Sequence, residues 1–119
     1  MSAKIIPLQP VRRYASTHRS NLPIAFQRAE LGVILNLYGQ MVTKGVWKDY
    51  AIDMRKNQAV FSVYRRASEM PIYQIFKRPD LRHKQGQYSV VAHGGLILKR
   101  GHDLRAVLRV FDKQKLKGS

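Results

Sequence analysis

The hydrophobic period changes once along this chain, and that change fixes its class. From Arg28 to Lys44, Leu31, Ile34, Leu35, Tyr38, Met41 and Val42 follow the three, four, seven spacing of a helical stripe. From Lys48 to Arg100 the apolar residues fall into short alternating runs separated by turn residues. The first pattern buries one side of a helix and the second buries one face of each strand. A second helical stripe, Leu104, Val107, Leu108 and Phe111, closes the chain. The order predicts an α+β domain: an N-terminal helix, an antiparallel sheet of about five strands, and a C-terminal helix, with both helices on one face of the sheet.

Local signals refine this. Glu30 falls in the first turn of the first helix, where a negative charge suits the helix dipole. Gly45 follows the last periodic residue and suits a left-handed C-terminal position. Gly32 and Gly39 lie seven apart on nearly one face. Each costs roughly 1 kcal/mol against Ala, so they predict the close approach of another element. Strands are expected at Lys48 to Met54 and at Ala59 to Arg65, joined through Arg55-Lys56-Asn57-Gln58. Their hairpin register sets Tyr50, Ile52 and Met54 beside Phe61 and Val63, and leaves Asp49, Asp53 and Ser62 on the other face. A third strand is expected from Pro71 to Lys77, followed by a basic turn from Pro79-Asp80 to Gly86. Tyr88 to His93 and Leu96 to Arg100 form a second hairpin around Gly94-Gly95, read as a two-residue turn. The last helix is expected from Asp103, as N-cap, to Lys115. Trp47, the only Trp, reads as a core residue capping the first helix's stripe rather than a binding anchor.

The chain has 119 residues, enough for one domain and a tail. Its 22 Lys and Arg against 7 Asp and Glu give a formal charge of +15. Residues 1–25 hold four of the bases, no acid and three of the five prolines. Such a segment buries too little apolar surface to order itself, so it is expected to be a disordered basic tail. The domain is expected over residues 26–116, with a short tail at 117–119. Beyond residue 25 the chain keeps 18 bases and 7 acids, so the charge belongs mainly to the domain. The absence of Cys rules out disulfides, thiolate zinc sites, iron–sulfur clusters and Cys nucleophiles. No window approaches the roughly 18 apolar residues of a membrane span, and no signal peptide is visible. These features predict a cytoplasmic protein with no membrane partner.

Four stretches also carry a resemblance: Leu35-Asn36-Leu37-Tyr38-Gly39, Trp47 to Asp53, Arg65-Arg66-Ala67-Ser68-Glu69-Met70-Pro71, and Gly94 to Leu104. Together they resemble a family of small alphaproteobacterial proteins described as a domain of unknown function, over roughly Phe26 to Phe111. The resemblance implies a bacterial cytoplasmic protein and supplies no catalytic residue, cofactor or substrate. The helix–three-strand–helix order also resembles the double-stranded RNA-binding fold, from which the extra Gly94-Gly95 hairpin departs.

Chemistry therefore has to be read from the side chains. Basic clusters occur at Arg65-Arg66, Lys77-Arg78, Arg82 with Lys84, and Lys99-Arg100. Arg105, Arg109 and Lys113 form a ridge, four apart, on the last helix. The clusters fall at strand ends and loops near Tyr64, Tyr73, Phe76 and Tyr88. Guanidinium groups pair with phosphates, and aromatic faces stack on unpaired bases. A strongly basic domain attracts polyanions through counterion release. Solvated strand ends also carry Lys and Arg simply to discourage edge pairing. The expectation is a non-enzymatic module contacting nucleic acid, RNA or a ribonucleoprotein, through these basic loops and the C-terminal helix. The alternative is a subunit or adaptor that docks an acidic protein partner, for instance through an exposed sheet edge.

Catalysis finds little support. With a two-residue turn, His93 faces Leu96 and His102 faces Gln87, too far apart to share a metal, and no cofactor is expected. Asp49 and Asp53 lie about 13 Å apart by strand rise. A retaining glycosidase pair needs roughly 5 Å. Gly94-Gly95 lacks the order of a phosphate loop, and Ser62, Ser68 and Ser89 sit in no nucleophile elbow. The oligomeric state is open, although a free sheet edge permits a dimer.

Overall fold

A computed structural model describes residues 22–66 and 70–117. Residues 1–21 of the expected 1–25 tail, part of the Arg65 to Glu69 loop, and the last two residues lie outside the described residues. The elements are α1 (Arg28–Thr43), β1 (Asp49–Met54), β2 (Ala59–Tyr64), β3 (Tyr73–Lys77), β4 (Tyr88–Ala92), β5 (Leu96–Gly101), α2 (Leu104–Leu108) and α3 (Asp112–Lys117). Short 3-10 turns occupy Pro79–Leu81 and Arg109–Phe111. The five strands form one antiparallel sheet in chain order. Among the described residues no helix is long and apolar enough to cross a membrane.

The core lies between one face of the sheet and the helices. Ile34, Leu37 and Met41 of α1 and the Leu104, Val107, Leu108, Phe111 stripe meet Phe61, Val63, Ile75 and Val90. Trp47 is fully buried among them, edge-on to Phe111 at 5.1 Å between ring centroids. The first hairpin has the expected register, with Tyr50 opposite Val63 and Ile52 opposite Phe61.

Several expectations shift. The buried centre of α1 is rotated toward Leu37, leaving Leu35 and Val42 exposed. The cause is the C-terminal segment, since Val33 and Leu37 share a groove with Leu108 and Arg109. The second hairpin turns through three residues, His93, Gly94 and Gly95, because Ala92 pairs with Leu96. A bulge between Val90 and Val91 absorbs the extra residue, so beyond it Val90 meets Lys99 and Ser89 meets Arg100. The last helix starts as expected, with the Asp103 carboxylate accepting the Arg105 N–H at 3.1 Å. It then tightens to 3-10 geometry at Arg109–Phe111 and restarts as α3.

Gly45 has φ +75°, as its position suggested. Its N–H donates to Val42 O and that of Val46 to Met41 O, both at 2.9 Å, which satisfies two carbonyls left open at the helix end. Gly32 and Gly39 overturn their expectation. A Cβ added at either meets nothing within 4 Å. Gly32→Ala and Gly39→Ala should therefore each stabilise the protein by about 0.5–1 kcal/mol through helix propensity, as measured by urea denaturation.

Candidate nucleic-acid interface

Alternation along the strands defines two faces. The helices cover the one just described. Among the described residues, no helix covers the other. Cross-strand pairing arranges that second face in rows. One runs Asp53, Val60, Phe76, Ser89, Arg100, and the next Ala51, Ser62, Gln74, Val91, Ile97. Tyr64 lies opposite Asp49 in the row beyond. Gln74 donates to Ser62 Oγ at 3.1 Å, bridging neighbouring strands. Phe76 and Tyr64 are half-buried.

The four aromatics near the basic clusters thus divide. Tyr73 packs edge-on to Phe111 at 5.0 Å within the core. Tyr88 also turns inward and donates its hydroxyl to Glu30 Oε2. Only Tyr64 and Phe76 face the helix-free side.

The basic residues divide too. Arg78 follows β3 and shares a shallow depression with Arg55, Lys56, Asn57 and Gln58 of the first hairpin turn. Arg82 and Lys84 are exposed in the loop after it, where Arg82 Nη1 donates to Pro79 O at 3.0 Å. Arg100 donates to Gln85 Oε1, tying that loop to β5. These residues form one basic end of the sheet. Arg65 and Arg66 lie past the far end of β2, roughly 25 Å from Arg78 by strand rise. Lys99 is exposed on β5, next to the bulge. Arg105 and Arg109 line a groove against Asn36 and Gln40 of α1, on the helix side of the sheet. Lys115, not Lys113, joins them there, because the 3-10 turn rotates the ridge out of line.

Lys77 belongs to none of these surfaces. Its Nζ donates to Glu30 Oε1 at 2.8 Å and to Ala25 O at 3.0 Å, and both side chains of the ion pair are about nine-tenths buried. Burial disfavours ionisation of Glu30. Hydrogen bonds from Lys77, Tyr88 and the Gln27 N–H outweigh that and hold its carboxyl below the ordinary range. Burial, and then the hydrogen bond to Glu30, raise the Tyr88 hydroxyl. The sequence contained the signal: Lys77 shares strand parity with Tyr73 and Ile75, the inward face. Arg55 and Lys56, absent from the sequence-based set, join Arg78 because Ala59 pairs with Lys77.

Among the described residues no three His, Asp or Glu side chains converge as a metal site. Asp53 binds Arg55 at 2.7 Å, while Asp49 accepts the Tyr50 N–H.

The fold and its surfaces define a small α+β domain with a basic-ended antiparallel sheet, in which Val60, Ser62 and Ser89 at the centre of the helix-free face are buried. The chain belongs to the family described as "Protein of unknown function (DUF2794)", which matches residues 24–108. No curated protein and no solved structure matches it.

Proposed function

We propose that this protein is a non-enzymatic module that contacts single-stranded nucleic acid, RNA in first place, across the helix-free face of its sheet. The observation that carries the reading is the position of Phe76 and Tyr64 on that face, between two separated basic ends. Unpaired bases stack on the aromatic rings, and phosphates pair with Arg65 and Arg66 at one end and with Arg78, Arg82 and Lys84 at the other. Phosphate contacts dominate, so sequence preference is weak. An acidic protein at the β1 edge is disfavoured, since that strand carries Asp49 and Asp53 and no base.

The test is fluorescence anisotropy with labelled single-stranded RNA. Phe76→Leu keeps the apolar bulk and removes the ring, and should weaken binding at least five-fold, in line with base–aromatic stacking of about 1–3 kcal/mol. Arg65→Ala with Arg66→Ala should weaken binding alike for unrelated sequences. A stoichiometric protein partner that survives nuclease treatment, with no RNA binding, would replace this reading by the adaptor.

A further inference from the structure

The two edges of the sheet are built differently. β5 is interrupted by the bulge and carries Lys99 and Arg100. Those are the devices by which natural sheets prevent edge pairing. β1 has none of them. Its register against β2 is unbroken over six residues, and it contains no Pro, Lys or Arg. Every residue of β1 is exposed, including Tyr50 at 40%, Ile52 at 40% and Met54 at 57%.

The apolar surface continues onto α1. Tyr38 meets the Tyr50 ring edge-on at 4.9 Å. Leu35 and Val42, one turn before and after Tyr38, are 38% and 39% exposed on the same flank. Gly32 and Gly39 adjoin them, with open space above both.

We infer that β1 and this flank of α1 form a homodimer interface, in which two β1 strands pair antiparallel about a two-fold axis at Ile52 to make a continuous ten-stranded sheet. The sequence of β1 selects this occupant and this register. Arg55 N–H donates to Gln58 O, so by alternation Tyr50, Ile52 and Met54 aim their N–H and C=O groups away from β2. Two-fold pairing at Ile52 joins Tyr50 to Met54 of the second copy, and Ile52 to its own equivalent. That makes roughly six backbone hydrogen bonds, two of them from Tyr50 N–H groups that leave the Asp49 carboxylate to pair across the edge, with the inward side chains forming one apolar row. On the other face it sets Asp49 opposite Arg55 of the second copy, where Asp49 joins the Arg55–Asp53 ion pair. Shifting the axis to Ala51 sets Asp49 against Asp53, and shifting it to Asp53 sets that acid against itself. Like charges directly opposite are unfavourable, so of these three central registers only the Ile52 one is self-complementary. In a chain of 22 bases and 7 acids, an edge with two acids also suits a second copy of this basic protein better than a polyanion.

The test uses the nuclease-treated 119-residue chain, so that it does not depend on the proposed RNA contact. Light scattering after gel filtration should give about twice 13.7 kDa. Ile52→Lys should give the monomer. Asp49→Lys should weaken the dimer and Asp49→Lys with Arg55→Asp should restore it. Because the natural chain has no Cys, a single introduced thiol reports the axis directly. Ile52→Cys should cross-link on mild oxidation, since paired Cα atoms lie about 5.5 Å apart. Met54→Cys should not, because its equivalents lie about 13 Å apart along the strands. A monomer at every concentration up to 1 mM overturns the inference. So does a dimer that survives Ile52→Lys, or equal cross-linking at both positions.

Discussion

Replacing Glu30 with Ala should cost about 3–5 kcal/mol of folding free energy, because it strands a buried cation. Lys77 is nearly buried, and its ammonium has two acceptors, Glu30 and the Ala25 carbonyl. Removing the carboxylate leaves the charge with one neutral carbonyl in a low-dielectric site, and also orphans the Tyr88 hydroxyl. For a domain of this size the loss should lower Tm by about 12–40 °C. Glu30→Leu with Lys77→Met should recover most of it, since breaking a buried pair is costly while replacing both partners with apolar residues is often neutral.

The same carboxylate gives a pH dependence of known sign. Its folded pKa lies below its unfolded value, so the unfolded chain binds its proton first on acidification. The contribution is complete above the unfolded value of about 4.3 and is lost as pH falls through the lower folded value. Urea denaturation at pH 7 and near pH 3 should show Glu30→Ala losing less stability on acidification than the parent protein. An equal loss in both would mean that Glu30 is not ion-paired in the folded state.

The second large effect is electrostatic. If five bases, Arg65, Arg66, Arg78, Arg82 and Lys84, each neutralise a phosphate of single-stranded RNA, log affinity falls with log salt at a slope of about −3.5. Between 50 and 200 mM salt that is a loss of roughly 100-fold. Arg78→Ala, Arg82→Ala and Lys84→Ala together should reduce the slope by about 2 and the affinity at 50 mM salt at least ten-fold. Arg105→Ala with Arg109→Ala changes the same net charge by two on the helix side, and should move affinity far less. Equal effects from the two sets would mean that overall charge, not the helix-free face, carries binding.

The fold was legible where one period dominated. The α1 boundaries, the first hairpin register and the Leu104 to Phe111 stripe follow from spacing alone. What escaped depended on how elements meet. The rotation of α1 that exposes Leu35 and Val42 is set by α2, and no count along α1 contains it. The three-residue turn and its compensating bulge cancel beyond Val90, so alternation there looks undisturbed. The basic residues were legible as a set but not as a surface. Strand parity sends Lys77 inward, and the sheet parts Arg65 and Arg66 from Arg78. The 3-10 turn at Arg109–Phe111 breaks the ridge.

Amide chemical-shift mapping during titration with single-stranded RNA at 50 mM salt tests the central claim most directly. The account predicts the largest changes at Tyr64, Gln74, Phe76 and the Arg78 to Lys84 loop, with α1 nearly silent. Changes confined to Asn36, Gln40, Arg105 and Arg109, or no changes at all, would contradict it.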